Sequence, residues 1–151
     1  MGYAPTFFGC DGLDGLLGVE NFNTELAEGV MLLTPFPADA DDEKTQSFVT
    51  KYKEAYGDTP NQFAADAYDG VMVLAELMKK EGITADMSAS DICDKLKKAI
   101  SDKDFSYDGL TGTGMKWGED GAVSKDPKAV IIKNGAYSAL TADDIAASTA
   151  Q

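Results

Sequence analysis

The sequence predicts an α/β or α+β protein. Three segments in the middle of the chain have the apolar periodicity and the start and stop signals of helices, and short apolar runs bounded by turn residues lie before and after them. The chain has 151 residues, of which 44% are hydrophobic and 26% are charged. These values are typical of one globular domain that buries a core.

Two apolar runs near the start of the chain predict strands. Residues 6–10 stop at the turn pair Asp11-Gly12. Residues 28–34 form a continuous apolar run that ends at Pro35 and Pro37, and the segment that follows is interpreted as a linker.

Local capping signals define the first and third predicted helices. The first begins at Asp41 or Asp42 and ends before Gly57, because a glycine in the left-handed region commonly follows a helix. The third begins at Ser88 or Ser90, with the spacing of a capping box at its start.

The second predicted helix runs from Asn61 or Gln62 to Lys80. Apolar residues recur along it at helical spacing, which predicts one face turned toward the core. The predicted inward face consists of Ala64, Ala67, Tyr68, Val71, Met72, Ala75 and Met78.

The last part of the chain predicts a β-hairpin and a tail. Apolar residues flank the pair Asn134-Gly135, which supplies the two positive φ angles that a type I′ turn requires. Residues 141–151 are small and polar and are interpreted as a frayed helix or as a segment foreign to the fold.

The charged residues exclude several classes of function. All 13 basic residues are Lys, 26 residues are acidic, His is absent and the net charge is −13. Without His, the Ser-His-Asp and Cys-His nucleophiles and His-containing zinc sites are excluded, and no cofactor is expected. The negative charge repels a phosphate backbone, so nucleic acid is not an expected partner.

The remaining composition bears on compartment and redox state. No apolar run approaches the roughly 20 residues that span a bilayer, and the start of the chain lacks the basic region of a signal peptide. A targeting segment is therefore expected to be missing, or the chain is cytoplasmic. Two cysteines, Cys10 and Cys93, favour buried free thiols over a single disulfide.

Several short segments, taken in order, resemble the extracytoplasmic solute-binding proteins of ABC importers of the leucine/isoleucine/valine-binding type. Each segment alone is weakly specific, but their order and spacing extend over nearly the whole chain. The segments are Phe7-Phe8-Gly9-Cys10-Asp11-Gly12, Ala27-Glu28-Gly29-Val30, the helix over residues 48–56, Pro60-Asn61-Gln62-Phe63-Ala64-Ala65-Asp66-Ala67-Tyr68-Asp69, Asp108-Gly109-Leu110-Thr111-Gly112, Trp117-Gly118-Glu119-Asp120-Gly121 and Asn134-Gly135-Ala136-Tyr137.

The resemblance implies a type I periplasmic-binding-protein fold, a two-lobed α/β clamshell with helices on a mainly parallel sheet. Such proteins are roughly twice this length, so the chain resembles only their C-terminal part. On this pattern residues 1–34 belong to the second lobe, residues 35–126 with the three helices to the first lobe, residues 127–140 return as a hairpin to the second lobe, and residues 141–151 are a tail. The crossovers would lie at Pro35/Pro37 and at residues 124–127.

The resemblance also implies two ligand-binding residues, and a third candidate, Tyr68, lies in one of the motifs that carry it. Asp11 occupies the position of the acidic residue that accepts the ligand's α-ammonium, whereas a purely local reading makes it a helix cap or turn residue. Phe63 matches an aromatic residue that lines the pocket, and a core role is equally compatible with the pattern. Tyr68 has a hydroxyl able to reach the cleft, but its place on the apolar face favours the core.

The leading hypothesis is a non-enzymatic binding protein that captures a branched-chain or other apolar amino acid by hinge closure and delivers it to the membrane permease of an ABC importer. Its expected location is extracytoplasmic, either periplasmic or lipid-anchored at the cell surface. The alternative is a sensing or interaction domain of the same fold that signals to a partner protein. The weakest hypothesis is a hydrolase that uses Asp11 and Asp14. Self-association is also expected, because a sheet separated from neighbouring strands exposes unpaired edges.

Overall fold

The computed structural model describes residues 5–149. The strands and α-helices occur along the chain in the order β1 (Phe8–Gly9), β2 (Met31–Thr34), α1 (Glu43–Tyr56), α2 (Gln62–Lys80), α3 (Ala89–Ile100), β3 (Lys116–Trp117), β4 (Val123–Ser124), β5 (Lys128–Lys133), β6 (Ala136–Ala139) and α4 (Ala142–Thr149). The chain divides into two compact units. The residues up to Phe63 and from Pro127 onward form the first unit, and Ala64–Asp126 form the second.

The first unit is built on a four-stranded sheet in the order β1-β2-β5-β6. The pair β1 and β2 is parallel, whereas β2 with β5 and β5 with β6 are antiparallel. The α/β class and the hairpin are confirmed, but the sheet is not mainly parallel within the described residues. A two-residue turn joins β5 to β6 and permits only an antiparallel pair, which accounts for one of the two antiparallel pairs.

The hairpin turn has the predicted geometry. Asn134 and Gly135 have φ angles of 52° and 73°, both in the left-handed region that a type I′ turn needs. Most of the described part of the predicted tail forms α4, in which Asp144 pairs with Lys133 of β5, and residues 150 and 151 of the tail lie outside the described residues. The ion pair with Lys133 and hydrogen bonds from Thr141 lower the pKa of Asp144 to about 2.

One core cluster of the first unit lies on one face of the sheet, and Met31 and Ile131, which point to the other face, are also buried. Its buried residues are Ala27, Leu32, Val130 and Ile132, covered by the partly buried Leu16, Leu17, Phe22, Val30 and Tyr137. Two of the covering residues, Leu16 and Leu17, lie in a 3₁₀ turn over Leu16–Gly18 between β1 and β2. The apolar run predicted as the second strand forms β2, which lies between β1 and β5 in the sheet.

Helix α1 has the predicted ends and belongs to the first unit. The side chain of Asp42 accepts the N–H of Thr45 at 2.9 Å, and Gly57 follows the helix with a φ of 76°. The buried ring of Phe36 contacts the ring of Phe48 edge-on, with 5.7 Å between centroids. Because this contact holds α1 to the segment after β2, residues 35–63 lie with the sheet.

The boundaries of the compact units therefore differ from the expected crossovers. One boundary follows Asp126, within the predicted segment 124–127, but the other follows Phe63 and not Pro35 or Pro37. The assignment of residues 1–34, 35–126 and 127–140 to lobes of a longer protein stays a prediction.

The second unit contains most of α2, α3 and a small β3-β4 hairpin. Its core consists of Val73, Leu77, Ala99 and Phe105, with Leu96, Ile100, Tyr107 and Trp117 packed against it. Helix α3 starts as predicted, because the Ser88 hydroxyl accepts the N–H of Asp91 at 3.1 Å. This cap satisfies one of the donors that the first helical turn leaves without partners, and the Ser88 hydroxyl donates in turn to Asp91 Oδ2 at 2.7 Å.

The buried face of α2 differs from the predicted face. The structure buries Ala65, Asp69, Val73 and Leu77, which recur every four residues. The predicted inward residues Tyr68, Val71, Met72 and Met78 are exposed instead. The physical reason is that α2 is apolar around most of its circumference, so periodicity alone does not select the face that the chain buries.

This difference predicts opposite outcomes for two matched substitutions in α2. Val73 is 2% exposed and Val71 is 65% exposed. We expect Val73→Ala to lower the free energy of unfolding by about 2 kcal/mol, because it empties part of the core. Val71→Ala should change the free energy of unfolding by less than about 0.5 kcal/mol. Both substitutions replace Val by Ala in the same helix, so the change in helix propensity is the same for the two variants. Urea denaturation measures both, and equal losses would contradict the observed face.

Cys10 and Cys93 are free, as favoured, but both are exposed, so the expectation of buried thiols is wrong. Cys10 follows a strand at the edge of the sheet, where cover is small. Among residues 5–149, no helix combines the length and the apolar character needed to cross a bilayer.

Candidate functional site

Asp11 lies directly after β1, in a single 3₁₀ turn over Asp11–Leu13. Backbone hydrogen bonds close this turn: the N–H of Leu13 donates to Cys10 O at 3.1 Å, and the N–H of Asp14 donates to Asp11 O at 2.9 Å. The Asp11 side chain is exposed. Its carboxylate has no capping role in the turn, so it is available to a charged group from outside the unit.

Asp14 has a different task from Asp11. One of its carboxylate oxygens, Oδ2, accepts the backbone N–H of Gln62 at 2.8 Å and lies 3.2 Å from the hydroxyl of Thr34. The acidic group thus stabilises the start of α2, where helix N–H groups lack partners. Asp11 and Asp14, the pair suggested for a hydrolase, therefore have different roles, because hydrogen bonds to Gln62 and Thr34 hold Asp14 in a structural cluster.

Gln62 joins this cluster to the Asp11 turn. Its side chain is 1% exposed, and Nε2 donates to the carbonyl oxygen of Asp11 at 2.7 Å. Sequence reasoning treated Gln62 only as a start of α2 and missed this contact, which joins residues 51 positions apart. A polar amide at a position that precedes an apolar helix was the only available signal.

The two predicted aromatic residues lie in different units. Phe63 follows Gln62 in the first unit and is 50% exposed, and Tyr68 belongs to the second unit and is 44% exposed. The alternative that made each a core residue is therefore wrong. Exposure leaves both rings accessible, and their contact with a ligand stays a prediction.

Tyr137 fixes the loop that follows Asp14. Its hydroxyl accepts the N–H of Gly15 at 3.1 Å. Burial raises the pKa of Tyr137, and the charge of Asp14 acts in the same direction. The hydroxyl therefore keeps its proton at neutral pH while it holds this loop against β6.

A cavity of about 660 Å³ lies elsewhere in the first unit. Its wall includes Leu17, Val49, Lys53, Asn61 and Tyr137. None of the predicted ligand-binding residues lines it. We therefore assign the candidate site to the Asp11 turn and not to this cavity.

A second polar cluster lies in the second unit and joins two of the motifs that carried the resemblance. Asp69 is 4% exposed, and its carboxylate accepts the N–H groups of Leu110 and Thr111, each at 2.8 Å, and the Thr111 hydroxyl at 2.9 Å. A Cβ on Gly109 would collide with the same carboxylate, which explains the glycine there. The conspicuous acidic residue of this motif is structural.

Comparison with solved structures identifies the class of protein. The leucine binding protein LivK of Thermotoga maritima is 26% identical, with a TM-score of 0.67, over 95% of this chain and 39% of that chain. LivJ of Streptococcus pneumoniae is a branched-chain amino acid transporter substrate binding protein that was solved with isoleucine. It is 25% identical, with a TM-score of 0.71, over 92% of this chain and 37% of that chain. The fold is therefore that of solute-binding proteins.

Comparison with a family model identifies the family. The model described as periplasmic binding protein matches residues 13–136, so the chain belongs to the periplasmic binding protein family. A search of curated proteins gives no match. The family and the solved relatives are solute-binding proteins and not enzymes.

A third structure shows the range of solutes that this fold accepts. An ABC transporter solute binding protein of Rhodopseudomonas palustris, solved with benzoate, shares the fold with a TM-score of 0.68 at 19% identity, over 88% of this chain and 34% of that chain. The chain spans about two fifths of the length of the solved structures that it matches.

Proposed function

We propose that this chain is part of the substrate-binding component of an ABC importer, which captures a branched-chain or other apolar amino acid by hinge closure. The observation that carries the proposal is Asp11: an exposed carboxylate on a turn that backbone hydrogen bonds close and a partly buried hydrogen bond from Gln62 holds in place. A fixed carboxylate is a natural acceptor for an ammonium group, and a charge-assisted hydrogen bond is stronger than a neutral one.

The solutes of the solved relatives support an apolar ligand that carries a carboxylate. LivK is named for leucine, LivJ was solved with isoleucine, and the R. palustris protein with benzoate. Benzoate has no ammonium group. Because the Asp11 carboxylate would repel an anion without a compensating cation, this chain favours an amino acid over a simple aromatic acid.

The same relatives support an extracytoplasmic location and a permease partner. Binding proteins of ABC importers act outside the cytoplasm and deliver their solute to a permease, so we propose an extracytoplasmic location and a permease partner. Phe63 supplies an exposed aromatic surface next to Gln62, which suits an apolar side chain. Tyr68, in the second unit, is a separate candidate for contact with the ligand.

Isothermal titration of the whole protein against the twenty amino acids and benzoate tests this proposal. We expect the tightest binding for leucine, isoleucine or valine, and at least about tenfold weaker binding for benzoate, a difference of about 1.4 kcal/mol. The present chain alone is the control and should bind these amino acids weakly. In the family that it resembles, the residues that bind the ligand's carboxylate come from the N-terminal part of the longer protein. Preference for benzoate, or binding of none of the compounds, would overturn the proposal.

A further inference from the structure

We propose that Gln62 is a positioning residue for Asp11: its buried amide fixes the turn that presents the Asp11 carboxylate to the ligand. The inference rests on the proposed function, since it requires Asp11 to hold the ligand's ammonium group. It adds a residue that acts through Asp11 without touching the ligand. We call the hydrogen bond from Gln62 Nε2 to Asp11 O the amide tether.

Two further contacts hold Gln62 in place, one at its backbone N–H and one at its side-chain oxygen. The backbone N–H of Gln62 donates to Asp14 Oδ2 at 2.8 Å, and the side-chain oxygen Oε1 lies 3.5 Å from Thr34 Oγ1. The Thr34 hydroxyl is itself fixed, because it accepts the N–H of Phe36 at 3.1 Å. The side chain therefore has little rotational freedom, and its remaining group, the NH₂, is directed at Asp11 O.

The turn itself has few other constraints. Strand β1 contains two residues at the edge of the sheet and pairs only with β2 within the described residues. Gly9 and Gly12 stand on either side of the Cys10-Asp11 pair, and glycine gives a backbone the widest conformational freedom. An added hydrogen bond at the Asp11 carbonyl therefore removes a large share of the motion that remains.

A fixed carbonyl orients the side chain of the same residue. The carbonyl oxygen of Asp11 accepts from both Asp14 N–H and Gln62 Nε2, so the peptide plane after Asp11 is held from two directions. This plane and the preceding strand determine the direction of the Asp11 Cα–Cβ bond. Because recognition of a charged group depends on orientation, loosening the turn weakens binding although every ligand contact remains available.

Gln62→Met tests the tether in the whole protein, with leucine as the probe. Methionine keeps the length of the side chain and removes its donor and acceptor. We expect affinity to fall about tenfold. Gln46→Met is the control for loss of a side-chain amide, because Gln46, an exposed residue of α1, also donates from Nε2 to a backbone carbonyl, that of Ala40 at 2.6 Å. It should change affinity less than about threefold.

A double-mutant cycle separates positioning from a merely structural role. With Asp11→Ala already present there is no carboxylate to orient, so adding Gln62→Met should change affinity by less than about threefold. A further tenfold loss in the double variant would overturn the proposal. Should Gln62→Met fail to fold, Gln62→Asn keeps a buried amide that is one methylene too short for Asp11 O, and the same cycle applies.

Amide hydrogen exchange of the ligand-free chain gives an independent measurement. Exchange at the N–H groups of Leu13 and Asp14, which close the turn, should be faster in Gln62→Met than in Gln46→Met, and equal exchange would overturn the tether. A wild-type protein that binds no amino acid overturns the proposed function and, with it, the ligand role of Gln62. A wild-type protein that binds leucine while Gln62→Met binds equally well overturns the tether alone.

Discussion

Asp69→Ala should lower the free energy of unfolding of the second unit by about 3–5 kcal/mol. The substitution removes a buried carboxylate that accepts three hydrogen bonds from the segment around Gly109. It also leaves the N–H groups of Leu110 and Thr111 buried without an acceptor. Since a domain is typically stable by only about 5–15 kcal/mol, this is a large share of the total.

Asp66→Ala is the matched control for Asp69→Ala. Asp66 lies three positions earlier in α2 and pairs with Lys125, but the side chains of both are partly exposed. An ion pair of this kind contributes at most about 1 kcal/mol. Urea denaturation followed by tryptophan fluorescence reports on the second unit, because Trp117 packs against its core. Similar losses for the two variants would show that the Asp69 cluster does not hold the unit together.

The elements that the sequence predicts well are those with local causes. Asp42, Gly57 and Ser88 act on backbone groups within one helical turn, so the ends of α1 and α3 follow from short segments. The hairpin at Asn134-Gly135 is local in the same sense, because two positive φ angles suffice to define it.

The features that sequence reasoning missed depend on distant partners. Asp69 looks like a solvated acidic residue until residues 41 and 42 positions later supply its donors. The buried face of α2 was also mispredicted, because both Val71 and Val73 suit a core and only packing decides between them. For the same reason, the resemblance gave Asp11 but not Gln62, whose role depends on a contact across 51 positions.

Asp11→Ala should weaken amino acid binding by the whole protein about a hundredfold or more. A charge-assisted hydrogen bond contributes roughly 1.5–3 kcal/mol, and an ammonium group buried without its partner costs more. Asp11→Asn keeps the shape and loses the charge, so its affinity should lie between those of the alanine variant and the wild type. Isothermal titration with leucine measures all three.

The same variants distinguish a binding role from a cap or turn role. Because backbone hydrogen bonds close the turn and the carboxylate is exposed, Asp11→Ala should change the free energy of unfolding by less than about 0.5 kcal/mol. A capping role predicts the reverse: about 1 kcal/mol of lost stability with affinity nearly intact. Glu20→Ala removes an equal charge from an exposed position in the same loop region and should leave both quantities unchanged. If Asp11→Ala binds leucine within about threefold of wild type, a difference below 1 kcal/mol, Asp11 is not the ammonium anchor.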